Sequence, residues 1–358
     1  MTRDWRRWWI AGVAFAPFIV ASVYMSAKPV PTKLARTHGG SAADFSTNPY
    51  LDAEGGRFRR TAVHMGTDWT VEVVALDEQA GEAALDAAFA EVSAVEARIS
   101  EWKPDSEVSR INRGAGAAVA VSADTFAMIE LALGVAAETG GSFDPTFLPL
   151  SLVWRIEAGD ARAEVPPDEE IAAARAHVGF RRVTVDKAAT SVALGEGMSL
   201  GVGGIGKGWA AGRVGSVLEA RGITRYLIDA GGDVLAGAGP SSGQSWKVAV
   251  AGPGGETIET VELTHAAVAT SGDAQRFREI GGVRYSHIID PRTGRPAAKA
   301  ASVTVRHKDP AMADAYATAA AVLGPEEALK FADRKEGLEL LVVLPDGAVQ
   351  KSAGFSSP

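Results

Sequence analysis

The sequence predicts an α+β protein, a single large body in which several β-sheets pack with helices. Short apolar runs typical of strands are interleaved with amphipathic helical patterns, without the regular alternation of a βαβ array. Late in the chain the strand-like runs follow one another at hairpin spacing, which favours antiparallel pairing. With 358 residues, 46% of them hydrophobic, the chain is long enough to bury a substantial core.

The composition excludes several classes of protein. Lys and Arg number 36 against 44 Asp and Glu, so the net charge is −8, which argues against nucleic acid as a partner. Charged residues make up 22% of the chain, too few, beside so many apolar ones, for a disordered protein. The sequence contains no cysteine, so disulfides, thiolate metal sites and a cysteine nucleophile are excluded.

Residues 1–30 differ in character from the rest of the chain. Three arginines among the first seven residues precede an uncharged run, 8–27, which as a helix would span about 30 Å, one bilayer core. This pattern predicts an export signal or a single membrane anchor, and Arg6-Arg7 loosely resembles a twin-arginine signal. Polar residues 31–60 are predicted to be a flexible linker. We therefore expect the body, 61–350, on the periplasmic side of the inner membrane.

Hydrophobic periodicity predicts the elements of the body in order. The first strand is expected at 67–76 and the first helix at 82–99, and a second helix begins at a cap formed by Ser122 or Asp124. Further helices are predicted at 168–178, 209–221, 310–323 and 325–333. Further strands are predicted at 183–186, 191–194, 225–229, 246–251, 259–263, 284–289, 302–306 and 338–344.

A glycine-rich loop, 201–208, is predicted to lead into a helix. Gly201 to Gly206 fits the dinucleotide pattern GxGxxG, and continuing to Lys207 it fits a P-loop, except that Gly208 replaces the hydroxyl residue. Both folds are disfavoured, because the preceding strand is short and no regular βαβ series surrounds it. Exposed backbone N–H groups at a helix start, with the charge of Lys207, suit a phosphate or pyrophosphate. A tight packing turn between strand and helix is the alternative.

Asp314 and Thr318 have the spacing of a metal site. Asp309 is expected to cap a helix that begins at Pro310, which places Asp314 and Thr318 one turn apart on the same face. A carboxylate and a hydroxyl suit a hard cation such as Mg²⁺, which keeps water and phosphate as its other ligands. A carboxylate that merely faces solvent is the alternative.

His287 lies in a stretch predicted to be a strand that runs into a turn. Strict alternation would put Tyr285, His287 and Ile289 on one face of that strand. A histidine in this position can act as a general base near neutral pH. It can equally be a hydrogen-bonded structural residue, and the residues by themselves leave both interpretations open.

Short motifs of the body recur in a recognisable order. They are Met65-Gly66-Thr67, Ser100-x-Trp102, Ser106–Asn112, Gly141–Thr146, Gly203–Gly208, Ala230–Asp233, Thr270–Asp273, Tyr285–Pro291 and Ala313–Thr318. As a set, from about residue 62 to 345, they resemble the ApbE family of FAD:protein FMN transferases. The resemblance implies the mixed, T-fold-related architecture of that family.

The resemblance also implies a reaction. The family binds FAD and Mg²⁺, cleaves the pyrophosphate and attaches FMN to a Thr or Ser of an acceptor, typically a flavoprotein subunit of a membrane or periplasmic redox complex. By residue match, Gly204 through its carbonyl, Asp314 and Thr318 would hold Mg²⁺, and His287 would be the base. The matched FAD contacts are Met65, Trp102, Ser142, Phe143, Asp144, Lys207 and Ile288.

One position departs from the family pattern. Gly201 stands where the family usually has an Asp that helps to fix the flavin nucleotide. The departure keeps a second function open, an exported protein that binds FAD without transferring FMN, and a nicotinamide-dependent dehydrogenase is a third. The presence of Lys207, His287, Asp314 and Thr318 favours transfer.

Overall fold

The structure, a computed structural model, describes residues 55–156, 164–272, 277–297 and 300–355. The predicted export segment, 1–30, and the linker as far as residue 54 lie outside the described residues. Within these ranges the structure has no helix both long and apolar enough to cross a bilayer.

Eight α-helices form within the described residues. They are α1 (Glu78–Ile99), α2 (Glu107–Arg113), α3 (Ala123–Glu138), α4 (Leu148–Trp154), α5 (Asp168–Arg175), α6 (Gly206–Glu219), α7 (Pro310–Leu323) and α8 (Pro325–Arg334). The expected caps are confirmed: Ser122 accepts the N–H of Thr125 at the start of α3, and Asp309 accepts the N–H of Ala311 at 2.8 Å. Because α6 begins at Gly206, three residues before the prediction, Lys207 lies in its first turn.

The strands of the described residues form one large sheet and several small ones. They are β1 (Gly56–His64), β2 (Thr67–Ala75), β3 (Ala118–Ala120), β4 (Thr184–Asp186), β5 (Ser191–Ala193), β6 (Tyr226–Ala230), β7 (Asp233–Ala236), β8 (Trp246–Ala251), β9 (Thr257–Leu263), β10 (Ala266–Gly272), β11 (Phe277–Ile280), β12 (Val283–Ser286), β13 (Ile289–Asp290), β14 (Arg295–Pro296), β15 (Ser302–His307), β16 (Glu339–Val343) and β17 (Val349–Lys351). The large sheet has the order β1-β2-β6-β7-β10-β15-β16-β17, and all its neighbouring pairs are antiparallel. The predicted α+β class is confirmed.

Both faces of the large sheet are covered. In β16, Leu340 and Val342 belong to the core formed with α1, α6 and α7, whereas Leu341 and Val343 pack with the β8–β9 hairpin. Alternate residues of one strand therefore enter two different cores, which explains why this strand reads as an unbroken apolar run. On the helical face, α6 and α7 cross near their N-terminal ends, and the C-terminal residue of α1, Ile99, packs beside the start of α6; the candidate site lies there.

Two of the predicted segments are also wrong. Strand β1 begins at Gly56, so residues 56–60 belong to the body and not to the linker. The arginines of this segment make it look like a polar linker in the sequence, but Arg57 forms an ion pair with the buried Glu72 of the neighbouring strand β2. The single strand predicted at 284–289 is interrupted. Ser286 Oγ accepts the N–H of Ile288 at 3.1 Å, a local hydrogen bond that competes with the sheet ladder.

Candidate active site

The site is built where the first turn of α6 crosses the start of α7. A Cβ added to Gly208 would collide with the carbonyl oxygen of Pro310, an overlap that real side chains do not tolerate. Only glycine therefore allows the two helices to approach this closely. Glycine at 208 is thus required by the packing of α6 against α7, and the same packing brings Lys207 next to Asp314.

Asp314 is buried, with 3% of its surface exposed, so the solvent-facing alternative is excluded. Its Oδ2 accepts the N–H of Gly208 at 3.0 Å. The residue before α6, Ile205, provides no side-chain cap, and Asp314 supplies that function from the neighbouring helix. Burial raises the pKa of the Asp314 carboxyl; the charge of Lys207 opposes this rise and that of Asp233 adds to it. A buried carboxylate in this position is stabilised by a cation.

The three residues predicted to hold Mg²⁺ lie together. A Cβ added to Gly204 would lie 2.9 Å from Thr318 Oγ1, and Thr318 follows Asp314 by one turn of α7. Thr318 Oγ1 is also 3.3 Å from Ser271 Oγ.

This donor set, one carbonyl, one carboxylate and one hydroxyl, consists of hard oxygens and fits Mg²⁺. Over the described ranges no group of three or more His, Cys, Asp or Glu is arranged to hold a metal. The predicted set is of a different kind, since a single carboxylate provides its only formal charge.

Lys207 lies between two carboxylates. Its ammonium group forms an ion pair with Asp233, and its Nζ is 3.9 Å from Asp314 Oδ1. Asp233 is not among the residues predicted to form the site, although it ends a predicted motif. A turn of small residues carried no signal that its carboxylate would reach α6.

The loop also gathers apolar residues matched to the FAD contacts. The Cε of Met65 lies 3.5 Å from a Cβ added to Gly206, and the ring of Phe143 lies 3.3 Å from one added to Gly204. Met65 itself occupies the tight turn between β1 and β2, with φ of 50°.

Trp102 is 69% exposed, and its half-buried neighbour Glu101 bonds to this loop. Glu101 Oε1 accepts the N–H of Val202 at 3.3 Å. Sequence reasoning missed Glu101, whose pKa is raised by burial.

Ser142 and Asp144 fix the segment on either side of Phe143. The Ser142 hydroxyl donates to the carbonyl of Thr139 at 3.1 Å. The Asp144 carboxylate accepts hydrogen bonds from Thr146 and from the N–H of Phe180, and burial raises its pKa. These contacts shape the backbone around Phe143, while contact of either side chain with FAD stays a prediction.

His287 and Ile288 lie in a bend between β12 and β13, where His287 is half-buried and Ile288 is buried. The carbonyl of Ile288 accepts the N–H of Ala297 at 2.8 Å. Beside the bend, the ring of Tyr285 lies 5.5 Å from that of Trp154 in α4. Met65, Phe143, Gly204, Lys207, Asp314 and Thr318 form one continuous cluster, and Ile288 of the bend belongs to the same apolar core as Phe143.

Gly201 is closely packed. Its N–H donates to the carbonyl of Pro145 at 2.8 Å, and a Cβ added to it would lie 2.8 Å from the ring of Phe147. An aspartate side chain at this position would meet that ring in this chain.

Solved structures share this arrangement of sheet, helices and loops. The ApbE protein of Thermotoga maritima superposes with a TM-score of 0.77 at 31% identity, covering 83% of this chain and 97% of that one. The apo form of the flavinyl transferase ApbE of Pseudomonas stutzeri gives 0.74 at 30% identity, covering 83% and 95%. The fold is therefore that of the ApbE proteins.

The model of the ApbE family matches residues 65–342, and the chain belongs to this family. Among curated proteins, an FAD:protein FMN transferase of Vibrio cholerae is 32% identical over 302 residues, 82% of this chain and 89% of the relative. One of Treponema pallidum is 33% identical, over 76% and 80%. The family predicted from the motifs is confirmed.

Proposed function

We propose that this chain is an Mg²⁺-dependent FAD:protein FMN transferase that modifies a Thr or Ser of an exported or membrane redox protein and releases AMP. Relatives named for flavin transfer match most of the chain, and the chain is an enzyme of that class. The observation that carries the metal and phosphate chemistry is the cluster of Gly204, Asp314 and Thr318 beside Lys207.

The transfer balances as a displacement at phosphorus. The acceptor hydroxyl oxygen bonds to the phosphorus on the FMN side of the pyrophosphate, while the bond from that phosphorus to the bridging oxygen breaks and AMP leaves. His287 takes the hydroxyl proton. Gly204, Asp314 and Thr318 would hold Mg²⁺, which when bound neutralises charge on the phosphate oxygens. Lys207 adds a second positive charge beside them.

The surroundings of this cluster suit a flavin. The exposed ring of Trp102 offers a stacking surface to the isoalloxazine, and Met65 and Phe143 add apolar contact near the glycine loop. Glu101 couples this stacking surface to the loop. The site therefore supports binding of the whole dinucleotide, with phosphates at α6 and flavin towards Trp102.

Incubation with FAD and Mg²⁺ is expected to add FMN covalently to an acceptor. Purified periplasmic domains of membrane redox proteins from the same organism serve as acceptors, and intact-mass and peptide mass spectrometry locate the added group. A domain whose modified Thr is replaced by Val is the matched control and gains no mass. FAD binding without a covalent product in any of these domains would favour the alternative of an exported FAD-binding protein.

We also propose that residues 1–30 carry the enzyme to the periplasmic side of the inner membrane. The support is the group of arginines before an uncharged run long enough to span a bilayer. Alkaline phosphatase fused after residue 60 is expected to be active. Green fluorescent protein fused at the same position is expected to be non-fluorescent if the fusion is exported by the general secretion route. A fusion of alkaline phosphatase that stays inactive in the cytoplasm would contradict the proposal.

A further inference from the structure

Asp233 is a buried carboxylate that the proposed reaction leaves without a role. It is 5% exposed and opens β7, directly after the turn from β6. Its Oδ2 forms the ion pair with Lys207, and its Oδ1 accepts the N–H of Thr270 at 3.3 Å. Burial of this carboxylate costs free energy of desolvation, which its ion pair with Lys207 offsets. A role for Asp233 would therefore act through Lys207.

The backbone holds Asp233 rigidly. Gly231 and Gly232 both have positive φ, 64° and 97°, as a two-residue hairpin turn requires. A Cβ added to Gly231 would collide with Thr67 Oγ1, so the turn is pressed against β2. The N–H of Gly232 donates to Asp229 Oδ1 at 2.8 Å, which closes the turn. Asp233 is therefore a fixed point against which a flexible side chain can be held.

Lys207 is such a side chain, a compact charge on a four-carbon stem with many rotamers. Its Nζ bonds directly to Asp233 and lies 3.9 Å from Asp314 Oδ1. Released from Asp233, the ammonium group would need only a small movement to bond directly to Asp314. It would then cover the carboxylate oxygen that a metal ion needs, and its charge would repel that ion.

We propose that Asp233 is a positioning residue, which holds the Lys207 ammonium group away from Asp314 and thereby keeps that carboxylate open to a divalent cation. The inference rests on the proposed metal site. It differs from a general effect of negative charge, because it acts through Lys207 and disappears when Lys207 is removed.

Metal binding in a double-mutant cycle tests this role. Mn²⁺ is titrated into the full chain with saturating FAD, free Mn²⁺ is followed by electron paramagnetic resonance, and FAD alone gives the background. Asp233→Asn keeps an acceptor for the Thr270 N–H and removes the charge. It is expected to weaken Mn²⁺ binding about tenfold, a common size for coupling between contacting residues. Adding Lys207→Met to Asp233→Asn is expected to restore binding to within about threefold of Lys207→Met alone.

Each outcome has a distinct meaning. Equal weakening by Asp233→Asn with and without Lys207 would overturn the positioning role, since the lost charge would then act on the metal by itself. A purely structural defect in Asp233→Asn would lower the thermal midpoint, and Lys207→Met would not restore Mn²⁺ binding. That outcome would also overturn the positioning role. A wild-type chain that binds no Mn²⁺ would overturn the metal site, and the positioning role with it.

Discussion

Replacement of Asp314 by Asn is expected to weaken Mg²⁺ binding by at least about a hundredfold. Loss of a residue that merely supports a metal ligand can already weaken metal binding by about that factor, and Asp314 is proposed to be a ligand itself. Asp314 supplies the only formal charge among the three proposed ligands, and its burial strengthens every electrostatic interaction that it makes. Isothermal titration calorimetry with FAD present measures the affinity directly.

The same substitution is expected to leave the fold intact. The amide side chain of the Asp314→Asn variant would still present an oxygen to the N–H of Gly208, the hydrogen bond that caps α6. The thermal midpoint of this variant is therefore expected to stay close to that of the wild type. Thr318→Val, which removes a neutral donor from the same helix face, is the matched control and is expected to weaken Mg²⁺ much less. Equal Mg²⁺ affinities of the two variants would show that the helical ligand pair is wrong.

Elements with a local signal were predicted from the sequence. Helix α7 begins where Asp309 and Pro310 predicted, and Gly324 ends it, because caps act through hydrogen bonds within one turn. Strand β10 escaped prediction: Ala266–Gly272 is small and lacks alternation, and it pairs in the middle of the sheet between β7 and β15. Its conformation is decided by tertiary pairing, which overrides weak propensity.

The residues of the candidate site likewise divide into those that a local sequence pattern predicts and those that only the tertiary structure brings together. Asp314 and Thr318 were brought onto one face by helical geometry, which the sequence specifies. The pairing of Lys207 with Asp233 joins residues 26 positions apart on different elements, and no spacing rule predicts it. The sequence predicts a continuous strand through His287, whereas in the structure the strand ends at Ser286, whose side chain accepts a hydrogen bond from the backbone N–H of Ile288.

Replacement of His287 by Ala is expected to separate binding from transfer. As the proposed base, His287 acts only when the acceptor hydroxyl loses its proton, and removal of a general base typically costs about 10²–10⁴ in rate. The His287→Ala variant is therefore expected to bind FAD with near-normal affinity and to transfer FMN at least about a hundredfold more slowly. Flavin fluorescence titration measures the affinity, and in-gel fluorescence of the covalently modified acceptor measures the rate.

Lys207→Ala is the contrasting variant, since its charge stands beside the phosphate site before the chemistry begins. It is expected to lose FAD affinity as well as rate. Full transfer activity in His287→Ala would return this residue to a structural role in the bend between β12 and β13. Loss of FAD affinity in His287→Ala, in proportion to the loss of rate, would instead make it a ligand of the nucleotide, because an interaction present in both the ground state and the transition state lowers both quantities together.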